Sequence, residues 1–115
     1  MPISSKEGKF MTDNFAKQII NLKGSIDYQE NAIVSKTISS SGNSSLTLFA
    51  FDKGQAIDSH SAPVNAVVQA VEGEVEIIIL GEKFNLKEGD IILMPKGEPH
   101  ALEAKTQFKM ALFKV

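Results

Sequence analysis

The 115-residue sequence contains no cysteine, no tryptophan and no arginine, and only two histidines, His60 and His100. Without cysteine there is neither a disulfide framework nor a thiolate metal site, so a fold of this size has to stand on its apolar core. Without arginine the chain lacks the planar fork that most often grips carboxylate, phosphate and guanine. All 12 basic residues are lysine, set against 14 acidic residues for a net charge of −2. That near-neutral balance argues against nucleic acid as a partner and weakens a phosphate-handling role. Long apolar runs are missing too: the longest, Val75 to Leu80, is interrupted by Glu76 and falls far short of the ~20 residues of a membrane helix. No membrane partner is therefore expected. Met1 to Phe10 is polar and lysine-bearing with no apolar stretch after it. It is not read as a signal peptide, and the cytoplasm is the expected compartment. Met11 offers an alternative start.

What remains is a globular composition, 43% apolar and 23% charged, patterned for strands. Residues 1–12 read as a loose arm, and Phe15 to Leu22 is ambiguous between a short helix and an edge strand. Ile33 to Ile38 alternates as a strand does, and Ser39 to Ser45 reads as a low-complexity loop, a mobile hairpin connection. Strands are then expected at Leu46 to Phe51, Ala66 to Val71, Val75 to Leu80, Lys83 to Leu86, Ile91 to Met94, Ala101 to Ala104 and Phe108 to Val115. Gly54, Gly73, Gly81, Gly89 and the Pro95–Gly97–Pro99 cluster punctuate them. Short strands at near-regular spacing mean an all-β sandwich or barrel of antiparallel sheets, with residues 1–32 as arm and edge segment and 33–115 as one barrel domain. Gly81-Glu82 reads as a type II′ hairpin turn. Met94, Met110, Phe49, Phe51, Phe108 and Phe113 are expected among the barrel lining. Glu72, Glu74 and Glu76 read as one solvated strand face. Asp52 and Asp58 read as turn formers, with Asp58 close enough in sequence to orient His60. The serines near 39–45 have no paired base and do not read as nucleophiles.

Two segments share a grammar. Gly54, His60, Ala62, Pro63 and Gly73 mark the first; Gly89, Pro95, Gly97, Pro99 and His100 mark the second. Each opens on a glycine turn and reaches a histidine at a strand start, which uses both histidines of the chain. This resembles the cupin superfamily, whose motifs run G-x5-H-x-H-x3,4-E-x6-G and G-x5-P-x-G-x2-H-x3-N. Gly54, His60 and Gly73 match the first, with Ala62 and Ala66 at its second His and its Glu. Gly89, Pro95, Gly97 and His100 match the second, with Ala104 at its Asn. The spacer, residues 74–88, is short, and the chain looks most like small stand-alone single-domain cupins reading H-[ST]-A-P. The resemblance spans about residues 46–115 and implies a jelly-roll barrel with one open mouth.

It also implies a place for a divalent ion such as Fe, Mn, Ni or Zn, held in such barrels at the positions of His60, Ala62, Ala66 and His100. Here only His60 and His100 carry donors, fewer than the three protein ligands usual for a catalytic centre. No complete metal site is expected, and any divalent ion would be weakly held. Strand parity sets Ala62, Ala66, Val68 and Ala70 on one face and Gln69 on the other, unless a bulge intervenes. Asn65, Gln69 and Glu103 are thus poor substitute ligands. His60 and His100 should face each other in the mouth, as hydrogen-bonding groups or as acid and base without metal.

Three classes of function follow. One is a barrel that binds a small molecule without catalysis. The second is an enzyme using His60 and His100, of the isomerase, dioxygenase-like or sugar-modifying kinds that the resemblance implies. The third is a structural dimer module, because Ile77, Ile78 and Ile79 would make one strand apolar on both faces. A homodimer is expected in each case.

Overall fold

The computed structural model describes residues 15–115. The expected arm over residues 1–12, with Met11, lies outside the described residues. Alternating apolar residues and glycine turns give nine strands among those described: β1 Ile33–Ser41, β2 Ser44–Phe51, β3 Ala56–His60, β4 Ala66–Glu72, β5 Glu74–Ile79, β6 Glu82–Lys87, β7 Ile91–Met94, β8 His100–Ala104 and β9 Phe108–Lys114. They form two antiparallel sheets, ordered β1-β2-β9-β4-β7 and β3-β8-β5-β6. This is the all-β architecture of antiparallel sheets that the strand spacing predicts, and the jelly roll that the resemblance implies. No helix among the described residues is long and apolar enough to cross a membrane.

Side chains alternate across each strand, and one face of each sheet turns inward. Ala66, Val68 and Ala70 of β4, Val75, Ile77 and Ile79 of β5, and Phe108 and Met110 of β9 are buried there together with Phe51, Met94 and Leu102. Phe51 and Phe108 are fully buried with ring centroids 5.7 Å apart; truncating either to alanine costs about 3–5 kcal/mol.

A second core lies on the outer face of the five-stranded sheet. Leu48, Ala50 and Ala111 are covered there by Ile26, with Leu22, Tyr28 and Phe113 packed alongside. Phe113 therefore leaves the expected barrel lining, because Phe108, Met110 and Leu112 take the inner face of β9 and leave it the outer one. The covering strap comes from residues 15–32, which are turns and irregular backbone rather than the expected short helix or edge strand. Specific bonds hold it. Tyr28 Oη donates to Glu72 Oε2 at 2.5 Å, and Lys109 Nζ donates to the Lys23 carbonyl at 2.5 Å while standing 5.0 Å over the Tyr28 ring. Burial, with the bond and charge of Glu72, pushes the Tyr28 phenol well above its ordinary range.

Three local expectations change. Glu72, Glu74 and Glu76 do not share one solvated face. All three are half-buried, and Gly73 divides Glu72 at the end of β4 from Glu74 at the start of β5. Gly73 has φ +81°, and a Cβ there would stand 2.0 Å from the Gln107 carbonyl oxygen. The β5–β6 turn is Leu80-Gly81 rather than Gly81-Glu82: Ile79 pairs with Glu82, and the turn residues have φ of 49° and 80°. That is the type I′ geometry. Ser39 to Ser45 is the expected hairpin connection, though strand pairing runs into it as far as Ser41 and Ser44 and leaves only Gly42 and Asn43 as the turn. In β5, moreover, only Ile78 puts a half-buried isoleucine beside Glu74 and Glu76. The strand is not apolar on both faces.

Candidate functional site

The last residue of β3 and the first of β8 make the centre of the site. β3 is a five-residue edge strand that the sequence does not announce, since Ile57 is its one apolar residue directed at the core. Ile57 pairs with Leu102, and His60 pairs with His100 across a register shift. The shift sets three steps on β3 against two on β8. Regular alternation would have put Ser59 opposite His100; the bulge puts His60 there and re-aims it.

The two rings lie with centroids 4.5 Å apart at an interplanar angle of 68°. His60 stands at the exposed rim, whereas His100 is 4% exposed. Each is anchored in the same way. His60 Nδ1 lies 3.0 Å from the Asp58 carbonyl, and His100 Nδ1 lies 3.2 Å from the Glu98 carbonyl. A carbonyl can only accept, so each Nδ1 carries the proton, and in a neutral ring Nε2 keeps a lone pair. Asp58 thus does orient His60, through its backbone oxygen and not its carboxylate. Burial holds the His100 pKa below the ordinary imidazole range. The Glu98 carbonyl opposes that shift, and the neighbouring charges of His60 and Lys114 reinforce it.

The Pro95–Pro99 loop is clasped to the chain that follows His60. Gly97 N donates to the Ala62 carbonyl at 2.9 Å, and Lys96 N donates to Asn65 Oδ1 at 2.8 Å. Asn65 is therefore a clasp. Glu103 pairs with Lys105 at 3.5 Å, facing away from the core between inward Leu102 and Ala104. Gln69 lines an outer groove with Leu22 and Lys23. None of the three joins the histidines. Ala66 is buried on the inner face, and its register partners are Met94 on one side and Lys114 on the other.

Lys114 is the residue that the sequence reading passes over. Phe108, Met110 and Leu112 all pack into the inner core, and Lys114 is the next residue on that face of β9. The period-2 series Phe108-Met110-Leu112-Lys114 was the available signal. Lys114 is half-buried, and its ammonium makes no ion pair among the described residues.

This donor set does not fit a firmly held transition metal. The described residues offer no group of three or more His, Cys, Asp or Glu placed to ligate one ion. Of the four positions at which the family motif carries ligands, only His60 and His100 hold donor atoms, and the charge of Lys114, which acts on the His100 ring, opposes a cation there.

The Cupin_2 family model, a cupin domain, matches residues 47–115. A conserved protein of unknown function from Streptococcus pyogenes is 32% identical in sequence, with a TM-score of 0.85 over 95% of this chain and 96% of that one. A cupin 2 conserved barrel domain protein from Leptotrichia buccalis is 39% identical, with a TM-score of 0.80 over 84% of this chain and 47% of that one. A cupin superfamily protein from Desulfitobacterium hafniense has the same fold, with a TM-score of 0.83 at 21% identity over 93% of this chain and 98% of that one. No curated protein matches the sequence. With the family model covering both glycine–histidine segments, and relatives above 30% identity spanning most of the chain, this chain belongs to the cupin family.

Proposed function

We propose that this cupin binds a small molecule at the mouth of its barrel, on the paired imidazoles of His60 and His100, without a complete metal centre. The observation that carries the reading is the shared anchoring of the two rings. Both Nδ1 atoms are committed to backbone carbonyls, so both Nε2 atoms are left to a ligand, 4.5 Å apart at the ring centroids. Ala62 and Ala66 put small side chains where the family motif has His and Glu, which removes the charged ligand.

Metal titration tests the second half of the reading. Untagged protein should bind Ni²⁺ or Zn²⁺ weakly, and Ala62→His with Ala66→Glu should raise that affinity by orders of magnitude, because the scaffold around His60 and His100 already exists. Tight binding by the parent chain would refute it. An unchanged double variant would mean that positions 60, 62, 66 and 100 do not converge. Titrating the ring signals of ¹⁵N-histidine-labelled protein with a fragment set tests the first half, since ligands of the mouth must move them.

An enzymatic reading is favoured by one feature. His100 is buried and its pKa is depressed, so near neutral pH it is an uncharged base with a free Nε2. An isomerase or sugar-modifying reaction could use it to take a proton; dioxygenase chemistry would need a metal that this donor set does not fit. His100→Gln would then abolish turnover at saturating ligand, beyond any loss of affinity. We also propose a homodimer as the working assembly.

A further inference from the structure

We propose that the ligand of the barrel mouth is a small hydroxy acid, whose carboxylate pairs with Lys114 and whose hydroxyl bonds to the imidazoles of His60 and His100. The inference rests on the binding reading above and names its ligand class. It begins from a reversal of charge. The position at which the family motif carries glutamate is Ala66, and the residue across the ladder from Ala66 is a lysine. Lys114 ends an inner row that is otherwise Phe108, Met110 and Leu112, so it sets a positive charge at the end of an apolar row. No carboxylate of the described residues pairs with it. Half-buried and without an ion-pair partner among the described residues, Lys114 is left to pair with an anion entering the mouth. The charge of Lys114 acts on the His100 ring, so the ammonium and the imidazole pair belong to the same end of the barrel.

The imidazoles choose the second group. With Nδ1–H given to the Asp58 and Glu98 carbonyls, an uncharged ring at either position offers only Nε2, an acceptor. A carboxylate oxygen cannot donate to them, whereas a hydroxyl can. One cation beside two neutral acceptors suits a single negative charge. A phosphate dianion would be half neutralised and would face two lone pairs, with no arginine in the chain to assist.

The test is a ring-nitrogen titration of the full-length ¹⁵N-histidine-labelled protein with glycolate, lactate and glycerate. Ethylene glycol and glycerol serve as neutral counterparts, and inorganic phosphate as the dianion. The hydroxy acids should move both ring signals and bind at least about tenfold more tightly than the alcohols, as expected for one charge-assisted contact. Lys114→Met should remove that advantage and leave the alcohols unchanged; Lys114→Gln, which keeps a polar head, should do the same. The backbone amide spectrum checks that both variants are folded. Alcohols that bind as well as acids, phosphate that binds more tightly than any acid, or an acid affinity indifferent to position 114 would each overturn the proposal while leaving the binding reading intact. If none of these probes moves either ring, the proposal falls; the fragment titration then decides separately whether the mouth binds anything.

Discussion

His100 and His60 share a residue type and a backbone anchor, yet one is buried and the other exposed. The consequence is a pH dependence. The folded pKa of His100 lies below the value of about 6.5 that the unfolded chain would show. Between the two values the unfolded chain binds more protons, so stability rises with pH. The contribution of His100 is fully present above the unfolded value and is lost as pH falls through the lowered folded one. Thermal unfolding of the parent should therefore weaken more steeply with acid than that of His100→Gln, and the difference between the two curves is the quantity to read. Equal slopes would show that burial does not bear on this ring. The pair itself was legible in the sequence, because two histidines after two glycine turns leave little choice. Lys114 was harder to see. In Phe108 to Val115 apolar residues occupy both parities, since β9 is covered by the barrel core on one side and by the strap on the other. Alternation, the usual guide to facing, is hidden in such a strand.

At the scale of the strand and its turns, the hairpin β5–β6 shows what a one-residue error in register means. A glycine between two apolar runs announces a two-residue turn, and whether it stands first or second decides the pairing. Here it stands second, which forces Leu80 to φ 49°. Left-handed backbone costs an ordinary L-residue roughly 1–2 kcal/mol, and asparagine tolerates it far better. Leu80 is 64% exposed, so little packing is lost with its side chain. Leu80→Asn should raise stability by about 0.5–1 kcal/mol in chemical denaturation, and a loss would mean that the leucine packs more than its exposure suggests. β3 escaped the sequence reading for a different reason. Ala56–His60 is short and polar, and its one bulge breaks the alternation that would have revealed it. The serine-rich hairpin was expected, but its loop is shorter than expected, because residues favoured in loops also suit the exposed ends of edge strands.

Across the whole molecule the jelly roll was readable from glycine, proline and histidine spacing, whereas the strap was not. Turn-rich backbone carries no period, and its anchors, such as Tyr28 on Glu72, join positions far apart in sequence. The strap covers the β1, β2 and β9 side of its sheet and leaves the opposite edge bare. There Ile91 and Leu93 of β7 are 68% and 52% exposed. That edge, rather than β5, is where a second copy is expected. Light scattering should give twice the 12.5 kDa chain mass, and Ile91→Lys with Leu93→Lys should return it to the mass of one chain. A parent that remains at the single-chain mass would refute the homodimer. The two halves of the proposed ligand site, finally, are not built on equal ground. His100 begins a strand bonded on both sides, while His60 ends one bonded on a single side through a bulged ladder. Local opening takes its lowest-energy route at such an edge. Part of any affinity at the mouth is therefore the free energy of keeping β3 docked, so a ligand that touches His60 also acts as a stitch that closes the barrel's own seam.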